Sequence, residues 1–147
     1  MISSRSLRSP CFIYLTLMSA LLFTPQLYAA EAPATSTFTE EQFESGEALY
    51  AQQCALCHGA ELDGGAAPAL IGSTFRKTWS MLGANVAELY NRIATTMPPR
   101  EGGTLSEDQN LNILAYLLGR NNVLQGTEAL RDEYDYLAAI PISRGDE

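Results

Sequence analysis

The chain has 147 residues, with nine Lys or Arg against seventeen Asp or Glu and a formal charge of −8 at pH 7. That acidic balance argues against nucleic acid as a partner and for a soluble surface on which a basic protein could dock. The length leaves room for one small domain and none for a second, catalytic one.

Arg5 and Arg8 precede the apolar run "CFIYLTLMSALLF", Cys11 to Phe23, and small residues follow in "TPQLYAAEA". A basic start, an apolar core shorter than the roughly 20 residues of a spanning helix and an alanine-rich exit are the layout of a secretory signal peptide. It is predicted over residues 1–30, cleaved near Ala29 or Ala30. An uncleaved anchor is the weaker alternative for so short a run. Cleavage leaves 117 residues, seven basic and seventeen acidic, hence a charge of −10. It also removes Cys11, so the exported chain keeps only Cys54 and Cys57, too few for a disulfide scaffold. The expected location is the periplasm, with no membrane span remaining.

Residues 31–37, "EAPATST", read as a flexible lead. Thr39 with Gln42 forms a capping box, flanked by Phe38 and Phe43 as a hydrophobic staple. Phe43, Gly46, Leu49 and Tyr50 then recur on one helical face up to Cys54, so "CALCH" at 54–58 falls at or just past a helix end. Residues 59–72 are too rich in glycine for regular structure and read as a loop. "STFRKTW" fits a turn or short helix in which Phe75 and Trp79 share a face. Asn85 with Glu88 caps a helix striped by Val86, Leu89, Tyr90 and Ile93, which must stop before Pro98. Ser106 with Gln109 starts another, whose Leu111, Leu114, Ala115 and Leu118 face one way, widened by Ile113, Tyr116 and Leu117, with Gly119 as its stop. Leu130, Tyr134 and Leu137 suggest a tail helix ended by Pro141. No stretch alternates as a strand does. The expectation is an all-α domain over 38–120 with a tail over 121–147.

A cysteine pair two residues apart serves three chemistries. A thioredoxin-like redox pair follows a buried strand, and here the pair follows an amphipathic helix. A structural zinc site wants four ligands, and beyond Cys54, Cys57 and His58 the exported chain has no other cysteine or histidine. The third is haem attachment, of which Cys-x-x-Cys-His is the signature. One helical turn separates the thiols, so both can bond one edge of a porphyrin, and His58 falls where a ring nitrogen reaches the iron. One covalently bound haem c is therefore the expected cofactor. The other nitrogen of His58 needs an acceptor to fix its tautomer. The Pro68 carbonyl in "APAL" is a candidate, beside the plainer reading of a turn proline.

What fills the remaining face of the iron decides between electron transfer and chemistry on small molecules. Met81 and Met97 are the thioethers of the exported chain. Pro98 forces Met97, in "TTMPPR", into extended geometry that can turn its sulfur inward, whereas Met81 is more simply a packing residue. If Met97 is not a ligand, a haem peroxidase or gas-binding protein is the alternative. Arg76, Lys77 and Arg100 are candidate partners of the haem propionates, or plain solvated charges.

Over residues 39 to about 119 the sequence resembles the class I c-type cytochromes. Gly46 and Tyr50, the "CALCH" run, Pro68 and Leu70, Met97, and Tyr116 in "ILAYL" carry the likeness. It implies a small all-α fold wrapped around one haem, with His58 and Met97 as axial ligands and the Pro68 carbonyl accepting from His58. It also implies that the first and late helices cross with Gly46 near Tyr116, and that Pro68, Leu70 and Trp79 surround the haem, Trp79 through a propionate. Within the class, "GGAAPALIGSTFRKTW", "LYNRIATTMPP" and "GTLSEDQNLNILAYLLGRNN" look most like the modules associated with bacterial quinoprotein alcohol dehydrogenases. A lysine-rich docking face is missing, because Lys77 is the only lysine. The resemblance implies an electron carrier, not itself an enzyme. Its partners would be redox proteins such as a quinoprotein dehydrogenase and a terminal oxidase or another cytochrome, met as a shuttle or as a fixed subunit of their complex.

Overall fold

The structure is a computed structural model and describes residues 38–81, 85–122, 126–140 and 142. The predicted signal peptide and lead, and Pro141, lie outside them. The described residues form helices α1 (Glu40–Gln53), α2 (Ala55–His58), α3 (Gly72–Met81), α4 (Val86–Thr96), α5 (Glu107–Arg120) and α6 (Tyr134–Ala138), with no strand among them. The fold is all-α, as the sequence pattern predicts.

Helix α1 begins as its sequence dictates. Gln42 donates its backbone N–H to Thr39 Oγ1 at 3.2 Å, and Thr39 returns its own to Gln42 Oε1 at 3.5 Å. Two amides that the helix itself cannot satisfy are thereby bonded. The Phe38 and Phe43 rings stack beside this cap, 6.2 Å apart.

Helix α5 is the core of the molecule, buried from Asn110 to Leu118 except at Asn112. Each leucine so enclosed contributes roughly 1.5–3 kcal/mol. Helix α1 crosses it at Gly46, where a Cβ would fall 1.9 Å from the Asn112 carbonyl oxygen and 2.9 Å from Tyr116 Cβ. Only glycine lets the backbones approach so closely. The Tyr116 ring then sits 5.3 Å from both Phe43 and Tyr50, so Gly46 does lie at Tyr116.

Gly119 is not the stop the sequence suggests. It lies inside α5, and a Cβ on it would meet the Phe43 ring at 2.6 Å, so its smallness makes room for an aromatic. The helix ends instead at Asn121 and Asn122. Asn122 takes a left-handed φ of 62° and donates its N–H to the Gly119 carbonyl at 3.1 Å, a stop that asparagine tolerates.

Helix α4 is capped by Asn85, which accepts from Glu88 N at 3.1 Å, and buries Val86, Leu89 and Ile93. It ends at Met97, extended at φ −116° and ψ 146°, because Pro98 excludes the helical region there; the Met97–Pro98 peptide is cis. Helix α3 is longer than the turn expected around "STFRKTW", and Phe75, buried, lies 6.3 Å from the Trp79 ring.

The tail helix is only five residues long and its expected stripe is corrected. Leu130 is buried before it begins and Leu137 within it, whereas Tyr134 is 58% exposed and donates its hydroxyl to Glu88. The tail packs back on the start of α1. Leu130 N donates to Gln42 Oε1 at 2.7 Å, Gln42 Nε2 donates to the Leu130 carbonyl, and Gly126 N donates to the Phe38 carbonyl.

Candidate functional site

Helix α1 breaks for one residue at Cys54, and α2 resumes with the backbone N–H groups of Cys57 and His58 both bonded to the Cys54 carbonyl. Gly59, at φ +82°, ends that turn. The result places Cys54, Cys57 and His58 on the lining of one apolar cleft. Helix α4 contributes Ile93 and, just past its end, Met97 with Pro98 and Pro99. Ile113 and Leu117 come from α5, Tyr50 from α1 and Leu70 from the loop. Leu56, between the two cysteines, is 95% exposed.

His58 Nδ1 lies 2.7 Å from the Pro68 carbonyl oxygen. A carbonyl only accepts, so Nδ1 carries the proton and Nε2 keeps its lone pair for a metal. The loop that presents Pro68 is tied on several sides. Tyr50 donates its hydroxyl to the Gly59 carbonyl at 2.6 Å. Gly64 N and Ala67 N donate to the carbonyls of His58 and Cys57, and Leu70 N to that of Leu62, which is fully buried. Asn121, buried at the end of α5, donates Nδ2 to the carbonyls of Leu70 (2.9 Å) and Leu117 (2.8 Å), and its Oδ1 accepts from Gly72 N (3.1 Å). Arg120 bridges Glu61 at 3.0 Å and donates to Tyr116 Oη at 2.7 Å.

Burial, then the neighbouring Cys57, pushes the Cys54 thiol up to about 11. The attacking thiol of a redox dithiol has a lowered value, so this surrounding does not suit that chemistry. Nor is any set of three or more His, Cys, Asp or Glu side chains among the described residues arranged to hold a metal ion, as closed zinc coordination requires. Two unbridged thiols on one turn, an imidazole with one nitrogen free and a thioether, all on an apolar cleft, fit the donor set of haem c.

Of the residues singled out in the sequence, Cys54, Cys57, His58, Leu70 and Met97 come together here, and Pro68 joins through its carbonyl alone. Trp79 does not line the cleft; it is half-buried beside Phe75. Arg76, Lys77 and Arg100 are also outside the lining, and Lys77 and Arg100 are exposed. The side chain of Met81 is outside the described residues. Asn121 was missed. An asparagine pair after a helix reads as a turn, and nothing in its spacing announces bonds to a loop some 50 residues away.

A helical fold that presents Cys-x-x-Cys-His to an apolar cleft defines a c-type cytochrome. The sequence matches, over residues 41–117, the family described as cytochrome c oxidase, cbb3-type, subunit III. The chain belongs to that family, a monohaem electron-transfer cytochrome domain that binds haem c covalently. No curated protein matches the sequence. Among solved structures, it is similar to cytochrome cL from the marine methylotrophic bacterium Methylophaga aminisulfidivorans MPT, at 24% identity and a TM-score of 0.41, over 56% of this chain and 55% of that one. It is also similar to cytochrome cL from Hyphomicrobium denitrificans, at 24% identity and a TM-score of 0.38, over 52% and 45%. The chain thus spans about half the length of these structures.

Proposed function

We propose that the protein is an exported, periplasmic carrier of single electrons whose haem iron is held by His58 and Met97. The observation that carries this reading is the company of these two residues. His58, its Nδ1 proton given to Pro68, and Met97, held out of the helix by Pro98, line the cleft that also holds Cys54 and Cys57. The haem supplies the redox change, one electron into and out of its iron. Cys54 and Cys57 anchor the group through thioethers. His58 offers Nε2, and the soft sulfur of Met97 favours the reduced state and raises the potential. Tyr50, Leu70, Ile93, Ile113 and Leu117 keep water from the site. With His58 and Met97 both given to the iron, no donor position would be left for a substrate, and the protein would act as a carrier and not by itself as an enzyme.

The signal-peptide layout supports export, and no helix among the described residues is long and apolar enough to cross a membrane. The donor we propose is a quinoprotein dehydrogenase, on the likeness of the sequence to the modules that accompany such enzymes, and the acceptor a terminal oxidase or another cytochrome. A fixed subunit of such a complex is the second reading. A contiguous exposed apolar patch on the purified protein would favour it over a freely diffusing shuttle.

The test is the ferric absorption spectrum of the wild type and of Met97→Leu. Sulfur ligation gives the wild type a weak far-red band, which the variant loses together with a fall in potential. A band that survives the substitution overturns the assignment of Met97. A wild type that lacks it and binds carbon monoxide when reduced would instead be a gas-binding protein.

A further inference from the structure

We infer that Asn121 is a positioning residue for His58: it holds the far end of the loop 59–72 against α5 and so sets the direction of the Pro68 carbonyl and the basicity of the iron-facing nitrogen. The inference rests on the proposed ligation by His58. Asn121 is 5% exposed, and its side chain makes three hydrogen bonds, two of them to the loop. Leu70 is two residues past Pro68, so fixing the Leu70 carbonyl restricts where the Pro68 carbonyl can point. The exit of the loop at Gly72 has a φ of +71°, and a Cβ there would meet nothing within 4 Å. No neighbour crowds Gly72 itself; its N–H is held by the Asn121 amide, while Leu70 and Ile71 just before it pack partly against the core. The other tie from α5, the Arg120 to Glu61 bridge, has its carboxylate 76% exposed and is the weaker kind of anchor. Leu117, whose carbonyl takes the third bond, lines the cleft itself, so one side chain locks the haem wall of α5 to the loop that orients the ligand.

An acceptor on Nδ1 gives the imidazole anionic character and makes the opposite nitrogen a stronger donor, which favours ferric iron. Loosening the brace should raise the reduction potential. The experiment uses the haem-loaded protein as Asn121→Ala, as Asn121→Ser, which keeps a shorter donor and acceptor, and as Gln42→Ala, which cuts the ties to Leu130 away from the loop. In Asn121→Ala the His58 Nδ1 proton, followed by NMR, should exchange about tenfold faster, the effect of one or two ordinary hydrogen bonds, and the potential should rise. Asn121→Ser should be intermediate, and Gln42→Ala should lose stability with neither change. If Asn121→Ala and Gln42→Ala match in exchange and potential, the proposal is overturned; should the alanine variant fail to fold, wild-type exchange in Asn121→Ser overturns it equally. A wild-type ferric protein whose His58 ring protons show no paramagnetic shift would overturn the axial assignment and the proposal together. Unchanged exchange in a protein that does show the shift overturns the proposal alone.

Discussion

The loop 59–72 and the segment 97–106 each bring a residue to the same cleft, and they are held in different ways. The first has Leu62 fully buried within it and hydrogen bonds to α1 through Tyr50, to the turn of α2, and to α5 through Asn121. The second has no buried residue, and residues 99–104 are all exposed. Its shape comes from turns of its own, Glu101 N to the Pro98 carbonyl at 2.9 Å and Thr104 N to the Glu101 carbonyl at 3.2 Å. Its ties to α5 are confined to its last two residues, the Ser106–Gln109 cap and a 3.3 Å bond from Asn110 Nδ2 to the carbonyl of the partly buried Leu105. Local stability follows buried contacts and protected hydrogen bonds. The histidine side of the site is therefore built into the core, and the methionine side rests on turns that can yield first.

The largest expected effect would erase this difference. Both segments depend on the crossing of α1 and α5, and Gly46→Ala would drive a methyl group into the Asn112 carbonyl, which is backbone and cannot swing aside. Overpacking against so rigid a neighbour should cost about 3 kcal/mol or more. In guanidinium unfolding of the haem-loaded protein, helix content and the far-red band should then fall together. A loss below about 1 kcal/mol would mean that the crossing has slack that the close approach denies.

A smaller effect separates the two regions directly, because each contains a glycine at the same φ of +82°. At Gly59 a Cβ would fall 2.1 Å from Asp63 Oδ1 and 2.7 Å from the Gly64 carbonyl oxygen, whereas at Gly103 it would meet nothing within 4 Å. Gly103→Ala should cost only the backbone strain, about 1 kcal/mol. Gly59→Ala adds a clash with backbone and should cost about 2–3 kcal/mol. Equal losses in denaturant titrations would mean that the first loop is no more tightly held than the second.

Which parts of this arrangement were legible in the sequence follows from how local each one is. The Thr39–Gln42 box, the matching Ser106–Gln109 box in which Ser106 N donates to Gln109 Oε1 at 2.9 Å and Gln109 N to Ser106 Oγ at 3.3 Å, the Phe38 and Phe43 pair and the extended Met97 depend on residues within five positions of one another, and each appears as read. The "CALCH" run names its cofactor because the spacing itself is the chemistry. Gly119 misled because a glycine near a helix end is usually a stop, and only the packed structure shows the Phe43 ring that needs its space. Phe75 and Trp79, four positions apart, share a face as their spacing suggests, whereas the place of Trp79 beside the haem is implied by the family likeness alone. The tail was the least legible. Gln42 reads as a capping residue and serves as one, yet the same side chain also receives Leu130, 88 positions away, and no local pattern records such a bond.

The smallest expected effect tests the braced loop through pH. Tyr50 is 1% exposed and donates its hydroxyl to the Gly59 carbonyl. Burial, then the neighbouring Cys54, raises its pKa from 10.0 to about 12. The folded chain thus holds the phenol proton more tightly than the unfolded one, and the resulting stabilisation is complete below pH ~10 and fades as the pH climbs toward 12. Tyr50→Phe should lose about 1 kcal/mol at neutral pH, since the Gly59 carbonyl is left without its donor, and should show a shallower decline in stability across the alkaline window. Tyr90 and Tyr136 are also raised by burial, so the substitution removes a part of that decline and not all of it. Urea midpoints at neutral and alkaline pH, read from helix content, check both statements. The hydroxyl that the substitution removes bonds the loop that carries Pro68, while the ring that lines the cleft stays in place. A far-red band that weakened in Tyr50→Phe at neutral pH would show the two sides of the cleft to be coupled, and the contrast between them would fail.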